Sequence, residues 1–447
     1  MQQLTLVARL SIPAILAQLT SIIMQYIDAA MVGSLGADAS AAIGLVTSSS
    51  WLLGGLCSSA AAGFSVQVAQ FVGAGRQDTA RNVFRSSLGV ALLFGLLLCG
   101  IGTGISPKLP LWLGGRAEIT AAASSYFFIF SCALPAAQFR QLSGSMLQCS
   151  GDMKTPSGLN ILMCFLDVIF NFLLIFPARN AVFFGKNVTL PGAGLGVTGA
   201  ALGTALSEVT VAMLMMCAAC KRFSVLKSRH EHTKPDPGHY KTAAYISLPL
   251  AFEHIVLCGA QVALTHITAP LGTAAIAANS LAVTAESLCY MPGYGIGSAA
   301  TTLVGQSIGA GKKELARRYA GLSVFLGVAL MTVTGILMFI FSPLMFALLT
   351  PDPEVRALGA QVLRIEAFAE PLYAASIVTA GALRGAGDTR IPSIMNLVSM
   401  WGVRLTAAYF LAPVFGLHGV WLAMCGELCF RGILFLIRLF RGKWLKG

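Results

Sequence analysis

The sequence predicts an all-α polytopic membrane protein: twelve transmembrane helices in two six-helix bundles, related by a pseudo-two-fold axis along the membrane normal. Three observations carry that prediction. The chain is 56% hydrophobic and only 11% charged, where a soluble protein is about a quarter charged. Its apolar runs, such as 88–105, 320–341 and 409–424, are long enough to cross a bilayer core of ~30 Å as helices. The chain also repeats itself. Val68-Ala-Gln-Phe-Val-Gly-Ala-Gly-Arg76 returns as Val304-Gly-Gln-Ser-Ile-Gly-Ala-Gly-Lys312, an offset of 306 − 70 = 236. The same offset carries Ser11 and Pro13 onto Ser247 and Pro249, Gly151-Asp152 onto Gly387-Asp388, and Asn160 onto Asn396. A constant offset over so much of each half marks an internal duplication.

In chain order, the first copy reads as spans 8–33, 41–71, 82–106, 118–146, 157–176 and 195–219. The second reads as 244–268, 277–306, 319–342, 355–383, 393–411 and 419–438. An even number of spans per copy gives both halves one orientation, hence an axis along the membrane normal with a cavity between the bundles. Residues 1–220 and 244–447 are the expected bundles. The polar stretch 221–243, with Lys234-Pro-Asp-Pro-Gly238, is the expected cytoplasmic linker. After span five the first copy holds an extra outer segment, 178–194, and register returns at 416 − 196 = 220, an insertion of 236 − 220 = 16 residues. Gly194-Leu-Gly-Val-Thr-Gly199 spells a dinucleotide fingerprint, but no strand precedes it in a βαβ context, so the glycines read as a turn and a close helix entry.

Charge sets the sidedness. Arg76, Arg81, Lys154, Lys221, Lys227, Arg229, Lys234, Lys312, Lys313 and Arg390 lie in the connections after even-numbered spans; the opposite connections hold chiefly Lys108, Arg116, Arg179 and Lys186. The formal charge of +12 therefore reflects positive-inside orientation rather than a nucleic-acid partner, and both termini are expected in the cytoplasm of a plasma-membrane protein. The eleven cysteines fall mostly inside apolar spans as small hydrophobes. Cys217 and Cys220 have metal-like spacing without a second pair or a suitable histidine cluster, so neither metal nor cofactor is expected.

Asp28-Ala-Ala-Met-Val-Gly-Ser-Leu-Gly36, Val-Gly-Ala-Gly-Arg after span two, Cys-Ser-Gly-Asp-Met-Lys-Thr-Pro156 and Leu-Arg-Gly-Ala-Gly-Asp-Thr-Arg-Ile-Pro392 resemble the multidrug and toxic compound extrusion (MATE) family over nearly the whole chain. The resemblance implies antiport: a cation runs inward while an organic, often cationic, small molecule leaves. It also implies that Asp28 is the acid whose protonation is linked to transport. Gln148 departs from the pattern, since the second copy and many relatives carry Arg there (Arg384).

Eight acids lie within spans: Asp28, Asp167, Glu208, Glu253, Glu286, Glu366, Glu370 and Glu427. Each costs about 2.5–3.5 kcal/mol at the bilayer centre, so they must face a wet cavity, carry a proton or cation, or pair with Arg140, Arg364, Arg404 or Arg431. Asp28, read as midway along span one, and Asp167 are the expected cation-coupling pair, joined by Glu253, Glu286 and Glu370 of the second half. Met163 stands where many relatives place Asn, so Asn171 and Thr204 are the substitute oxygen ligands. Glu208 and Glu427 read as packing or pairing groups. Thr204, Asn171, Glu366, Tyr290, Met291 and Tyr294 are expected to line the substrate cavity, with a break in span eight at Met291-Pro292-Gly293 beside Glu286. His254 and His266 read as structural histidines rather than proton relays.

No Gly-x-x-x-x-Gly-Lys-Ser/Thr loop appears, which disfavours a nucleotide-driven pump, and no nucleophile–base constellation suggests an enzyme. A lipid-linked oligosaccharide flippase would need several cavity arginines for its pyrophosphate, whereas acids outnumber bases here. The driving ion is therefore H+ or Na+. At ~100 mV one inward cation supplies about 2.3 kcal/mol, enough for a roughly fifty-fold gradient of a neutral compound. A proton needs only a carboxylate, whereas sodium needs converging oxygens, so the reading leans to the proton. A functional monomer in the lipid bilayer is expected.

Overall fold

The computed structural model describes residues 2–183, 186–223 and 236–446. The first bundle is α1 (Gln2–Gly33), α2 (Ala37–Gly73), α3 (Gln77–Ile105), α4 (Ala117–Cys149), α5 (Lys154–Ile175) and α6 (Gly196–Arg222). The second is α7 (Pro237–Thr268), α8 (Thr273–Gly309), α9 (Lys313–Leu349), α10 (Pro353–Glu366 with Glu370–Gly385), α11 (residues 390–415) and α12 (residues 417–441). These are the twelve expected spans in two bundles. The inserted segment forms an antiparallel hairpin, β1 (Pro177–Phe183) and β2 (Lys186–Ala193). Lys227, Arg229 and Lys234 of the expected linker lie outside the described residues. Asp236 then caps α7 by accepting from the Gly238 amide at 2.9 Å, with Pro237 at the first helical position.

The duplication is visible atom by atom. Gly75 and Gly311 take left-handed φ of 74° and 71°, and Gly151 and Gly387 take 93° and 86°. Each closes its helix with the same pair of bonds: Arg76 N reaches Phe71 O as Lys312 N reaches Ser307 O, both at 2.9 Å. This is a Schellman C-cap, and only glycine enters that backbone region without strain.

Three elements depart from the sequence expectation. α8 runs unbroken through Pro292, so the expected interruption beside Glu286 is absent; inside a packed bundle, neighbours tolerate the missing amide hydrogen bond. α10, read as continuous, breaks instead at Ala367–Ala369, directly before Pro371. α11 contains a π-helical stretch, Val398–Leu405, and ends at Gly416, whose φ of 59° and ψ of −139° separate it from α12.

Across the seam, α1 packs on α8 and α7 packs on α2, a reciprocal exchange, with α2 against α8 in the middle. The interbundle hydrogen bonds of α2, α4, α7, α8 and α10 cluster at the end that carries the basic loops.

Candidate functional site

Asp28 sits in α1 five residues before its last residue, Gly33. It is therefore nearer the non-basic end than midway, as it already is within the expected span 8–33, which ends at the same residue. α5 brings Asp167 and Asn171 to it from one face, one turn apart. Asn171 Nδ2 donates to Asp28 Oδ1 at 3.0 Å and to Asp167 Oδ2 at 3.1 Å, so one amide bridges two carboxylates. From α6, Ser207 Oγ donates to Asp167 Oδ1 at 3.2 Å, and the Thr204 side chain also reaches Asp167. The bridging amide holds the Asp28 and Asp167 carboxyls beside one another. Asp167, Asn171 and Ser207 are buried and Asp28 is half-buried.

Glycine makes the convergence possible. A Cβ at Gly203 would overlap Asn171 Oδ1 and come within 2.9 Å of its backbone nitrogen. α6 therefore approaches α5 closely there. Next to the site, a narrow, mainly apolar cavity is lined by Tyr126, Phe130, Thr204 and Glu208. Ser207 and Tyr126 were not singled out from sequence. The i, i+3 spacing of Thr204 and Ser207 on α6 is the signal that placed both on one face.

The second bundle holds a different arrangement. Glu253 accepts from Ser393 Oγ and Asn396 Nδ2, both at 2.7 Å, and faces Arg384 at 3.5 Å. Glu427 is paired twice, with Arg404 at 2.9 Å and Arg431 at 3.1 Å, and also accepts from Ser399. In the first bundle Glu208 pairs with Arg140, which also donates to Asn160 Oδ1 at 3.3 Å. Among the described residues Arg364 pairs with none of the acids; its Nε donates to Phe339 O. Glu286, Glu366 and Glu370 are buried together near the α10 break, and both oxygens of Glu366 and of Glu370 lack a hydrogen-bond partner among the described residues. Gly335 of α9 lies opposite, where a Cβ would come within 3.1 Å of Glu370 Cβ.

The expected cavity residues fall into two groups. Thr204 and Asn171 belong to the first-bundle site. In the second bundle Tyr294 lines the cavity, Tyr290 packs on Tyr294 and Tyr373 with ring centroids 6.0 and 5.5 Å apart, Glu366 lies at the α10 break, and Met291 is only half-buried on α8, outside the cavity lining. A polar cavity there is lined by Glu253, Tyr294, Tyr373, Arg384 and Asn396. His254 seats against Gly55 of α2 across the seam, and His266 is exposed on α7.

Two same-sense bundles with buried carboxylates on each side of a seam are the layout of a membrane transporter. The MatE family model matches residues 13–173 and 249–410, once in each repeat. The chain belongs to that family. It is 27% identical to the probable multidrug resistance protein NorM of Thermotoga maritima, covering 98% of this chain and 92% of that protein. It is 27% identical to the multidrug resistance protein PmpM of Pseudomonas aeruginosa, covering 97% and 90%. An outward-facing multidrug resistance MATE transporter of the MOP superfamily shares the fold, with a TM-score of 0.90 at 20% identity, covering 100% of this chain and 97% of that one. A MOP superfamily transporter from Pyrococcus furiosus gives 0.89 at 20% identity, covering the same shares.

Proposed function

We propose that the chain is a secondary antiporter that exports organic cations of the multidrug class in exchange for inward protons, by alternating access between the two bundles. It works as a monomer in the plasma membrane with both termini cytoplasmic. The names of its relatives support the multidrug class. The observation that carries the mechanism is Asp28 and Asp167 bridged by the amide of Asn171. Asn171 uses both amide hydrogens on the pair, and two carboxylates this close repel unless a proton or a cation sits between them. Proton and cationic compound therefore compete for one negative site, which is the requirement for exchange. Tyr126 and Phe130 beside it offer the flat apolar wall that an organic cation needs.

Sodium is the second reading. The unpartnered oxygens of Glu366 and Glu370 at a broken helix favour it. Oxygen-bearing side chains of Asp28, Asp167, Asn171, Thr204 and Ser207 also converge in the first bundle; the proton is preferred because it needs only the carboxylate pair, without an ion cage. The flippase reading is weaker still, because Arg140, Arg384, Arg404 and Arg431 each face a glutamate, which leaves little positive charge for a pyrophosphate.

The deciding experiment is organic-cation transport by proteoliposomes under an imposed pH gradient in sodium-free buffer. Transport that follows the pH gradient supports the proton reading. Transport that ignores it and follows a sodium gradient moves the coupling site to the glutamates of the second bundle.

A further inference from the structure

The duplicated motif builds a device at the seam that the site chemistry does not use. Gln70 Nε2 donates to Gly385 O at 3.3 Å, and Gln306 Nε2 donates to Cys149 O at 2.9 Å. The two bonds are images of one another, since 70 + 236 = 306 and 149 + 236 = 385. Their acceptors end the helices α4 and α10, where carbonyls lack a partner within their own helix. Beside them Gly73 lies against the Gln306 backbone and Gly309 against the Gln70 backbone, each so close that a Cβ would overlap the carbonyl oxygen. On the seam's midline a Cβ at Gly305 would come within 2.8 Å of Ala69 Cβ.

Apolar packing also crosses the seam, as where Val66 meets Ile246 and Leu250 and Gly295 lies against Ala14 and Ile15. The glutamine bonds gather at one end, and they are neutral amide bonds that water replaces when the partners separate. We propose that Gln70 and Gln306 are positioning residues of the transport cycle: twin bolts of a gate that shuts the basic end while the Asp28–Asp167 site faces the other. Gly73 and Gly309 set the approach that lets the bolts reach. This rests on the alternating-access reading above.

Cys149 is a native reporter, since its carbonyl takes one bolt and its thiol is buried at the gate near Ser65 and Thr302. The full chain is placed in lipid nanodiscs, treated with a water-soluble maleimide, and labelling of each cysteine is timed by peptide mass spectrometry. Gln70→Ala/Gln306→Ala should raise the Cys149 rate at least about tenfold, each single change should raise it less, and buried Cys57 inside the first bundle should keep its native rate. An unchanged Cys149 rate overturns the proposal, and so does an equal rise at Cys57, which would make the glutamines holders of the fold. Because labelling needs no transported compound, a wrong reading of the substrate or coupling ion leaves this test intact.

Discussion

Ala17 and Gln148 in the first repeat stand where the second has Glu253 and Arg384, and the structure brings those two second-repeat residues together. Arg384 faces Glu253 at 3.5 Å, with Ser393 and Asn396 donating to the same carboxylate. Restoring the first repeat's residues tests the pairing. Glu253→Ala should cost about 1–2 kcal/mol, below the usual penalty for breaking a buried pair because a third of Arg384 is exposed. Glu253→Ala/Arg384→Gln should cost less than the two single changes summed, read by thermal unfolding in detergent; strict additivity would show that the pair is not coupled. Asp28→Asn should abolish efflux at normal membrane insertion, since the new amide oxygen still accepts from Asn171 while the titrating group is gone. Wild-type efflux at equal expression would remove Asp28 from the mechanism. The acids themselves were legible in the sequence, because a carboxylate in an apolar span is costly wherever it lies. Some partners were legible as well, namely Asn171 and Thr204 beside Asp167 and the bases Arg140, Arg404 and Arg431, but others were not. Ser207 lies 40 residues from Asp167, and Ser393 and Asn396 lie 140 and 143 from Glu253, separations that only the packed bundle resolves.

At the scale of the helix, the two repeats use the same proline differently. Pro135 lies inside unbroken α4, while its image Pro371 (135 + 236) follows the break in α10. Proline allows an interruption without requiring one, and what differs is the opposing wall. Cys99 of α3 becomes Gly335 of α9, which admits Glu370 and the Ala367 carbonyl, where a Cβ would sit 3.1 and 3.2 Å away. Apolar runs and turn glycines were enough to place every span, because each helix must satisfy its own backbone in lipid. Interruptions depend on the neighbouring helix, so the break expected at Pro292 and the one found before Pro371 were not separable from the local sequence. Close helix approach gives the sharpest test here. Gly203→Ala places a methyl group on Asn171, so it should cost about 1–3 kcal/mol of stability through overpacking and reduce efflux by displacing the bridge between Asp28 and Asp167. Gly104→Ala, with nothing within 4 Å, should leave efflux unchanged. Equal behaviour of the two variants in melting and transport would show that the α5–α6 approach does not position the site.

For the whole molecule, the seam and the charges argue for one orientation. The basic loops Arg76 and Lys312 follow α2 and α8, at the end where Gln70 and Gln306 join the bundles. Asp28 lies toward the other end of α1. Short loops rich in Lys and Arg stay in the cytoplasm because their transfer across the bilayer is disfavoured. In the orientation proposed above the joined end is cytoplasmic, and the Asp28–Asp167 site is positioned for exchange with the outside. Both chain ends also lie on the basic side, since each repeat crosses six times. A tag placed after the C-terminus should therefore be cleaved by added protease in inside-out vesicles and protected in intact cells, and a single cysteine introduced at Lys108 should show the opposite pattern with an impermeant thiol reagent. Protection of the tag in inside-out vesicles would reverse the assignment. The joined end would then face outward, the carboxylate site would face the cytoplasm, and the basic loops would need another explanation than topology.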